Sequence, residues 1–149
     1  MVTIQMVTDQ KQDYMELLLL ADEQEDMIQR YLSRGDMFVL KEDGDVRAEC
    51  VVTKEADGVY ELKNIAVYGA YQRMGYGKML VDYLIEWYRG SCSVMYVGTG
   101  DSPVTLTFYE RCGFVYSHRL KNFFTDNYDH PMFEDGKQLV DMIYLKREL

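Results

Sequence analysis

The chain has 149 residues, 48% hydrophobic and 28% charged. That composition predicts one folded domain over residues 1–149 and excludes a mainly disordered chain. Its 25 acidic residues outnumber 16 basic ones, leaving a net charge of −9, which repels phosphate backbones and argues against a nucleic-acid partner; the excess either attracts cationic substrates or simply keeps the chain soluble. The longest apolar run, Leu17 to Ala21, is far shorter than the roughly 20 residues of a membrane-spanning helix, so no membrane partner is expected.

Cys50, Cys92 and Cys112 are odd in number and form no CxxC pair. Neither a disulfide framework nor a metal site follows from them. The opening MVTIQMVTDQ has no basic patch followed by an apolar stretch, so a cytoplasmic location is expected.

The predicted elements run as follows. Thr3 to Val7 alternates and reads as a strand. Asp9 or Asp13 is placed to cap a helix through Met15, Leu18 and Leu19. A second helix is expected from about Glu23 to Leu32, with Met27, Ile28 and Tyr31 at helical spacing. Met37 to Leu40, Val46 to Thr53 and Val59 to Tyr68 form a three-strand meander. Its turns fall at Asp43-Gly44 and Asp57-Gly58, because Asp-Gly favours hairpin backbone angles. Leu80, Val81, Leu84, Ile85 and Tyr88 mark one face of a helix over Gly75 to Tyr88. Ser93 to Val97 reads as a buried strand. Ser102-Pro103 starts a helix that Gly113 ends. Phe114 to His118 and Leu139 to Leu145 read as final strands. A long acidic and aromatic loop lies between them, with Phe123, Phe124, Tyr128 and Phe133.

The segment Gln72-Arg73-Met74-Gly75-Tyr76-Gly77-Lys78 joins a strand to a helix N-terminus. Glycines let the backbone approach a ligand. The first helical N–H groups are unpaired, and the helix dipole adds positive charge there. The result is an anion site that Arg73 and Lys78 reinforce. A P-loop needs Gly where Gln72 stands and Ser or Thr where Met79 stands. A dinucleotide fingerprint needs Gly where Leu80 stands. Both fail on residues, and a plain tight turn is the structural alternative.

Gln72-Arg73-Met74-Gly75-Tyr76-Gly77 resembles the Q/R-x-x-G-x-G/A motif of the GNAT superfamily of acetyltransferases. Asn64-Ile65-Ala66-Val67 looks like that family's central strand. Phe108-Tyr109-Glu110-Arg111-Cys112-Gly113-Phe114 looks like its F-Y-x-x-x-G-F segment. The order of elements matches over essentially the whole chain. The resemblance implies an α+β fold, with a central mixed, mostly antiparallel sheet flanked by helices. It also implies acetyl-CoA as cosubstrate and an amine acceptor. The coenzyme pyrophosphate would lie on Arg73, Met74, Gly75, Tyr76, Gly77 and Lys78. The pantetheine arm would pair with Ile65, Ala66 and Val67 as an added strand.

By the same resemblance, Tyr109 is the general acid toward the departing thiolate; otherwise it is a core aromatic. Some relatives carry a glutamate base at the place of Glu61. Period-two alternation puts Glu61 on the face of Ile65, and the alternative is an exposed strand glutamate in an ion pair. His118 reads as structural, and His130 is a further candidate base. Two residues depart from the family pattern. Ser102 replaces a usual asparagine that contacts pantetheine, and Thr105 replaces a usual alanine.

Acidic residues Asp22, Glu23, Glu25, Asp26, Asp126, Asp129, Glu134 and Asp135 interleave with rings in the regions that, by the resemblance, choose the substrate. They suit a small cationic amine or merely form a solvated face. The expected activity is N-acetyl transfer by direct attack in a ternary complex, with the backbone amide of Val67 or its neighbour stabilising the oxyanion. A non-catalytic acyl-CoA-binding module is the alternative. A general nucleotide-phosphate binder is a third. Exposed late strands allow a homodimer.

Overall fold

Alternating apolar residues lay down one seven-stranded sheet in the computed structural model, which describes Met1 to Leu149. The chain runs β1 (Val2–Val7), α1 (Met15–Leu18), α2 (Glu25–Gln29), β2 (Asp36–Glu42), β3 (Asp45–Ala56), β4 (Val59–Val67), α3 (Tyr76–Tyr88), β5 (Val94–Gly100), α4 (Pro103–Arg111), β6 (Val115–Leu120), α5 (Phe123–Asn127), β7 (Phe133–Glu134), β8 (Lys137–Gln138) and β9 (Met142–Glu148). The sheet order is β1-β2-β3-β4-β5-β9-β6. Only β4 and β5 pair in parallel, and every other neighbouring pair in this sheet is antiparallel. The fold is therefore the mixed, mostly antiparallel α+β architecture expected from the sequence.

Each face of the sheet is covered by helices. The predicted apolar stripe of α3 is buried through Leu80, Val81, Leu84, Ile85 and Tyr88. With α4 it packs on Phe38, Leu62, Met95 and Phe114, forming the larger core. Each such side chain contributes about 1.5–3 kcal/mol by leaving water. On the other face, Leu18 and Ile28 of α1 and α2 pack with Leu32, Met37 and Val51. No helix is long and apolar enough to cross a membrane.

The N-terminal helices differ from expectation. Neither Asp9 nor Asp13 caps a helix. Gln10 takes the left-handed conformation there (φ 57°), and no side chain caps α1. Helix α2 stops at Gln29, short of Leu32. The chain then tightens into i→i−3 hydrogen bonds at Arg30 and Tyr31. Gly35 explains the tightness: a Cβ there would lie 2.6 Å from Val51 Cγ1, so the backbone passes directly against β3.

The long acidic segment after β6 is also more ordered than its composition suggests. It contains α5 and the β7–β8 hairpin. Phe124, Met132 and Leu139 bury one another beneath them. Asp135 (φ 51°) and Gly136 (φ 77°) make the turn, as hairpin turns with positive angles require.

Candidate functional site

The site begins where two strands part. β4 and β5 pair only from Val59↔Val94 to Leu62↔Val97. Beyond that, β4 continues to Val67 and β5 to Gly100 without pairing each other. A wedge opens between them. Tyr68 N–H donates to Arg47 O at 3.0 Å on the β3 side. Antiparallel alternation then turns the backbone groups of Ala66 and Asn64 toward β3 as well. Those of Ile65 and Val67 point into the wedge. Gln72 Nε2 already donates to Val67 O at 3.2 Å. The wedge is thus a strand edge that an amide-bearing chain can extend.

At the wide end of the wedge stands the start of α3. None of the six N–H groups from Arg73 to Lys78 donates a hydrogen bond within the protein; the first helical bond in this turn is Met79 N–H to Gly75 O at 3.0 Å. Arg73 (φ 66°) and Gly75 (φ 89°) take the left-handed conformation that aims this row outward. The dipole of α3, a helix of 13 residues, favours an anion here.

The residues expected around this turn divide by role. Met74 is exposed. Tyr76 is buried, and its hydroxyl donates to Glu42 Oε1 at 3.0 Å. Only its backbone faces the anion site. The Lys78 ammonium pairs with Asp82 at 2.8 Å, which raises its pKa. A Cβ on Gly77 would lie 3.1 Å from Phe108 Cζ. That glycine lets α3 pack on α4, a reason beyond close approach to a ligand.

A β-bulge corrects the placement of Glu61. Tyr60 and Leu62 pack toward the α3–α4 core, and so do Ile65 and Val67. The parity changes between these pairs because the register slips: Val52 faces Leu62 while Val51 faces Asn64, leaving Lys63 extra. Glu61 therefore lies on the opposite face from Ile65, the side covered by α1 and α2. There it pairs with Lys63 at 3.0 Å and accepts from the Tyr144 hydroxyl at 3.2 Å.

Tyr109 reaches the wedge from α4. It lines a cavity of about 440 Å³ together with Lys63, Asn64 and Ile65 of β4, Gly98 to Gly100 of β5, and Asp22 and Glu23 after α1. Its ring packs edge-on against Phe108 and Phe114. Its hydroxyl is not paired with any protein group and is not sealed from the cavity. Burial pushes its pKa up, and the neighbouring Cys112 and Glu134 add to this. The phenol therefore stays protonated.

Ser102 is buried and makes no capping bond to α4. Its hydroxyl donates instead to Asp135 Oδ2 at 3.0 Å. Thr105 donates to Glu134, and Lys137 Nζ reaches Asp101 O at 3.3 Å. These bonds clamp the β7–β8 hairpin over the start of α4. A Cβ on Gly100 would lie 2.6 Å from Leu139 Cδ2, so the hairpin's far end also packs on β5.

Comparison with known proteins decides the family. The Acetyltransferase (GNAT) family model matches residues 4–114. The N-acetyltransferase YvbK of Bacillus subtilis is 34% identical over 136 residues, covering 90% of this chain and 88% of that protein. A GNAT family acetyltransferase of Elizabethkingia anophelis, solved with acetyl-CoA bound, superposes with a TM-score of 0.94 at 33% identity, over 99% of this chain and 98% of that one. A Bacillus subtilis acetyltransferase solved with CoA gives 0.91 at 31% identity, over 100% and 99%. The chain belongs to the GNAT acetyltransferase family. It is an acyltransferase, and the cosubstrate of its family is acetyl-CoA.

In this GNAT acetyltransferase the remaining cavity wall is acidic and aromatic. Asp22 Oδ1 accepts from the Tyr128 hydroxyl at 2.7 Å, and Asp22 Oδ2 accepts from Tyr31 at 3.3 Å. Burial raises the pKa of Asp22, while these hydrogen bonds oppose the rise. Glu23 lies 3.5 Å from His130 Nε2, and Asp129 lies 2.6 Å from His130 Nδ1. The hydrogen bond to Asp129 raises the pKa of His130, which favours the imidazolium and disfavours a base. His118 stacks on Tyr144 with centroids 4.8 Å apart.

Sequence reasoning missed the Thr105–Glu134 and Ser102–Asp135 clamps, because their partners lie about thirty residues apart along the chain. It also missed Asn64 and Glu49. A carboxyl inside the apolar run Ala48 to Val52 was the available signal for Glu49.

Proposed function

We propose that this chain transfers the acetyl group of acetyl-CoA to a small, cationic primary amine by direct attack in a ternary complex. The observation that carries the reading is one continuous path. Six unpaired N–H groups at the start of α3 suit the pyrophosphate. The free edge at Ile65 and Val67 suits pantetheine, with the Ala66 backbone turned to β3, and Tyr109 stands at the far end of that edge. The acidic cavity wall lies beyond, where an amine would enter.

In the reaction the amine nitrogen attacks the thioester carbonyl carbon. The carbonyl electron pair moves onto oxygen, and a backbone N–H of β4 stabilises it: that of Ile65, which lines the cavity with Tyr109, rather than that of Val67 at the pyrophosphate end. Collapse re-forms the carbonyl and breaks the C–S bond. The leaving thiolate takes the Tyr109 proton. Before attack the ammonium gives one proton through water to Glu61, which the bulge puts on the acceptor face of β4, and after attack the nitrogen's second proton passes to the Tyr109 phenolate. Ser102 contributes to the coenzyme side indirectly, since Asp135 occupies its hydroxyl.

The test is coenzyme A release from acetyl-CoA with polyamines, aminoglycosides, amino acids and short peptides, comparing wild type with Tyr109→Phe. The reading expects release with cationic amines, lost in the variant while acetyl-CoA still binds. Coenzyme binding with no release for any amine would overturn it.

A further inference from the structure

Glu49 of β3 is completely buried. Neither of its carboxyl oxygens has a hydrogen-bond partner. The titratable groups that sense it are Tyr31, Cys50 and Tyr109, and none of them is a cation. A carboxylate left this way would carry the full cost of an unpaired buried charge.

A second orphan stands beside it. Asn64 Oδ1 is buried and also lacks a partner. Glu49 faces Ala66 and Val51 faces Asn64 across β3 and β4. Glu49 and Asn64 are therefore diagonal neighbours on one face of the sheet, a spacing long side chains can bridge. The Asn64 amide cannot be turned round to help. Its Nδ2 already donates to Leu18 O at 3.1 Å and to Tyr31 Oη at 3.0 Å. These three orphaned atoms are all acceptors, and a single proton on Glu49 gives Asn64 Oδ1 its donor and removes the unpaired buried charge.

We infer that Glu49, as a neutral carboxylic acid donating to Asn64 Oδ1, is a positioning residue for the acceptor and anchors a one-way chain of hydrogen bonds ending on Asp22 in the cavity wall. This rests on the amine reading above. Each link is polarised in one direction. Glu49 O–H donates to Asn64, Asn64 Nδ2 donates to Tyr31, and Tyr31 O–H donates to Asp22 Oδ2. Tyr128 completes the Asp22 carboxylate from the other side. Asp22 accepts two phenols and forms no ion pair within the protein, which leaves its charge for the ammonium of an acceptor. The chain ties that carboxylate to the rigid β3–β4 pair, although Asp22 itself sits on a loop.

The experiment uses the whole protein. Carboxyl ¹³C spectra of wild type, assigned with Glu49→Gln, should show the Glu49 resonance in its protonated position from about pH 5 to pH 8, where an ordinary glutamate of pKa about 4.3 is ionised. Kinetics supply the second arm. Glu49→Gln keeps an N–H donor and should hold the acceptor KM within about twofold of wild type. Glu49→Leu removes the donor at similar volume and should raise that KM about tenfold, the size of one lost buried hydrogen bond, with the acetyl-CoA KM unchanged. A Glu49 resonance that titrates in the ordinary carboxylate range overturns the assignment, and so do Gln and Leu variants that behave alike. If Glu49→Leu does not fold, the wild-type spectrum alone decides the protonation. If wild type acetylates no cationic amine, the amine reading fails and takes the acceptor role with it, while the spectrum still judges Glu49.

Discussion

The two sides of the cavity are built from different materials. The side proposed for the coenzyme is backbone: the wedge edge of β4 and the open N–H row before α3. The side proposed for the acceptor is side chain: Asp22, Glu23, Tyr128 and Glu134, delivered by a loop, a short helix and a hairpin distant in sequence. Backbone groups are common to all residues, so that side depends on chain path and tolerates most substitutions. Side-chain groups are particular, so on the proposed reading the acceptor side chooses the substrate.

Breaking the reaction at the meeting point of the two sides should give the largest effect. Tyr109→Phe should lower kcat about 10²–10³-fold, the range of a lost general acid, without changing acetyl-CoA affinity measured by calorimetry. Next comes the acceptor side. Asp22→Asn should lower kcat/KM for a cationic amine about tenfold or more through KM, with acetyl-CoA KM unchanged, as expected when a charged partner is removed.

The coenzyme side should respond in the opposite pattern. Gly75 holds φ 89° with open space around it, so Gly75→Ala meets backbone strain of about 1–2 kcal/mol rather than a clash. Acetyl-CoA KM should rise about fivefold to twentyfold as the turn relaxes, and the amine KM should hold. Lys78→Met should change acetyl-CoA KM by less than about threefold, because that exposed ammonium is shared with Asp82.

The smallest effect concerns pH. His130 bridges Glu23 and Asp129, and its folded pKa is raised above 6.5. Its contribution is therefore complete below that value and is lost as pH rises through the raised pKa. The difference in thermal midpoint between wild type and His130→Ala should be largest at the acidic end and shrink as pH rises.

The same contrast explains what the sequence revealed. The Gln72 to Gly77 turn was legible because local backbone geometry demands its glycines, whereas β4 and the α4 tyrosine were picked out by contiguous motifs that resemble the family's. The α3 stripe was legible for the same reason. The bulge at Lys63 was not. It comes from register with β3, and it moves Glu61 to the other face although the residue pattern looks regular. The order in the acidic segment after β6 was hidden too, because Phe124, Met132 and Leu139 bury one another only after the hairpin folds back. Gly35 and Gly100 likewise answer to distant partners, Val51 and Leu139.

The most direct test of the division between the two sides is coenzyme A release across matched cationic, neutral and acidic acceptors, with both KM values measured for each. The account predicts turnover confined to cationic amines, with one acetyl-CoA KM shared by all of them. Efficient acetylation of a neutral or acidic acceptor would contradict it.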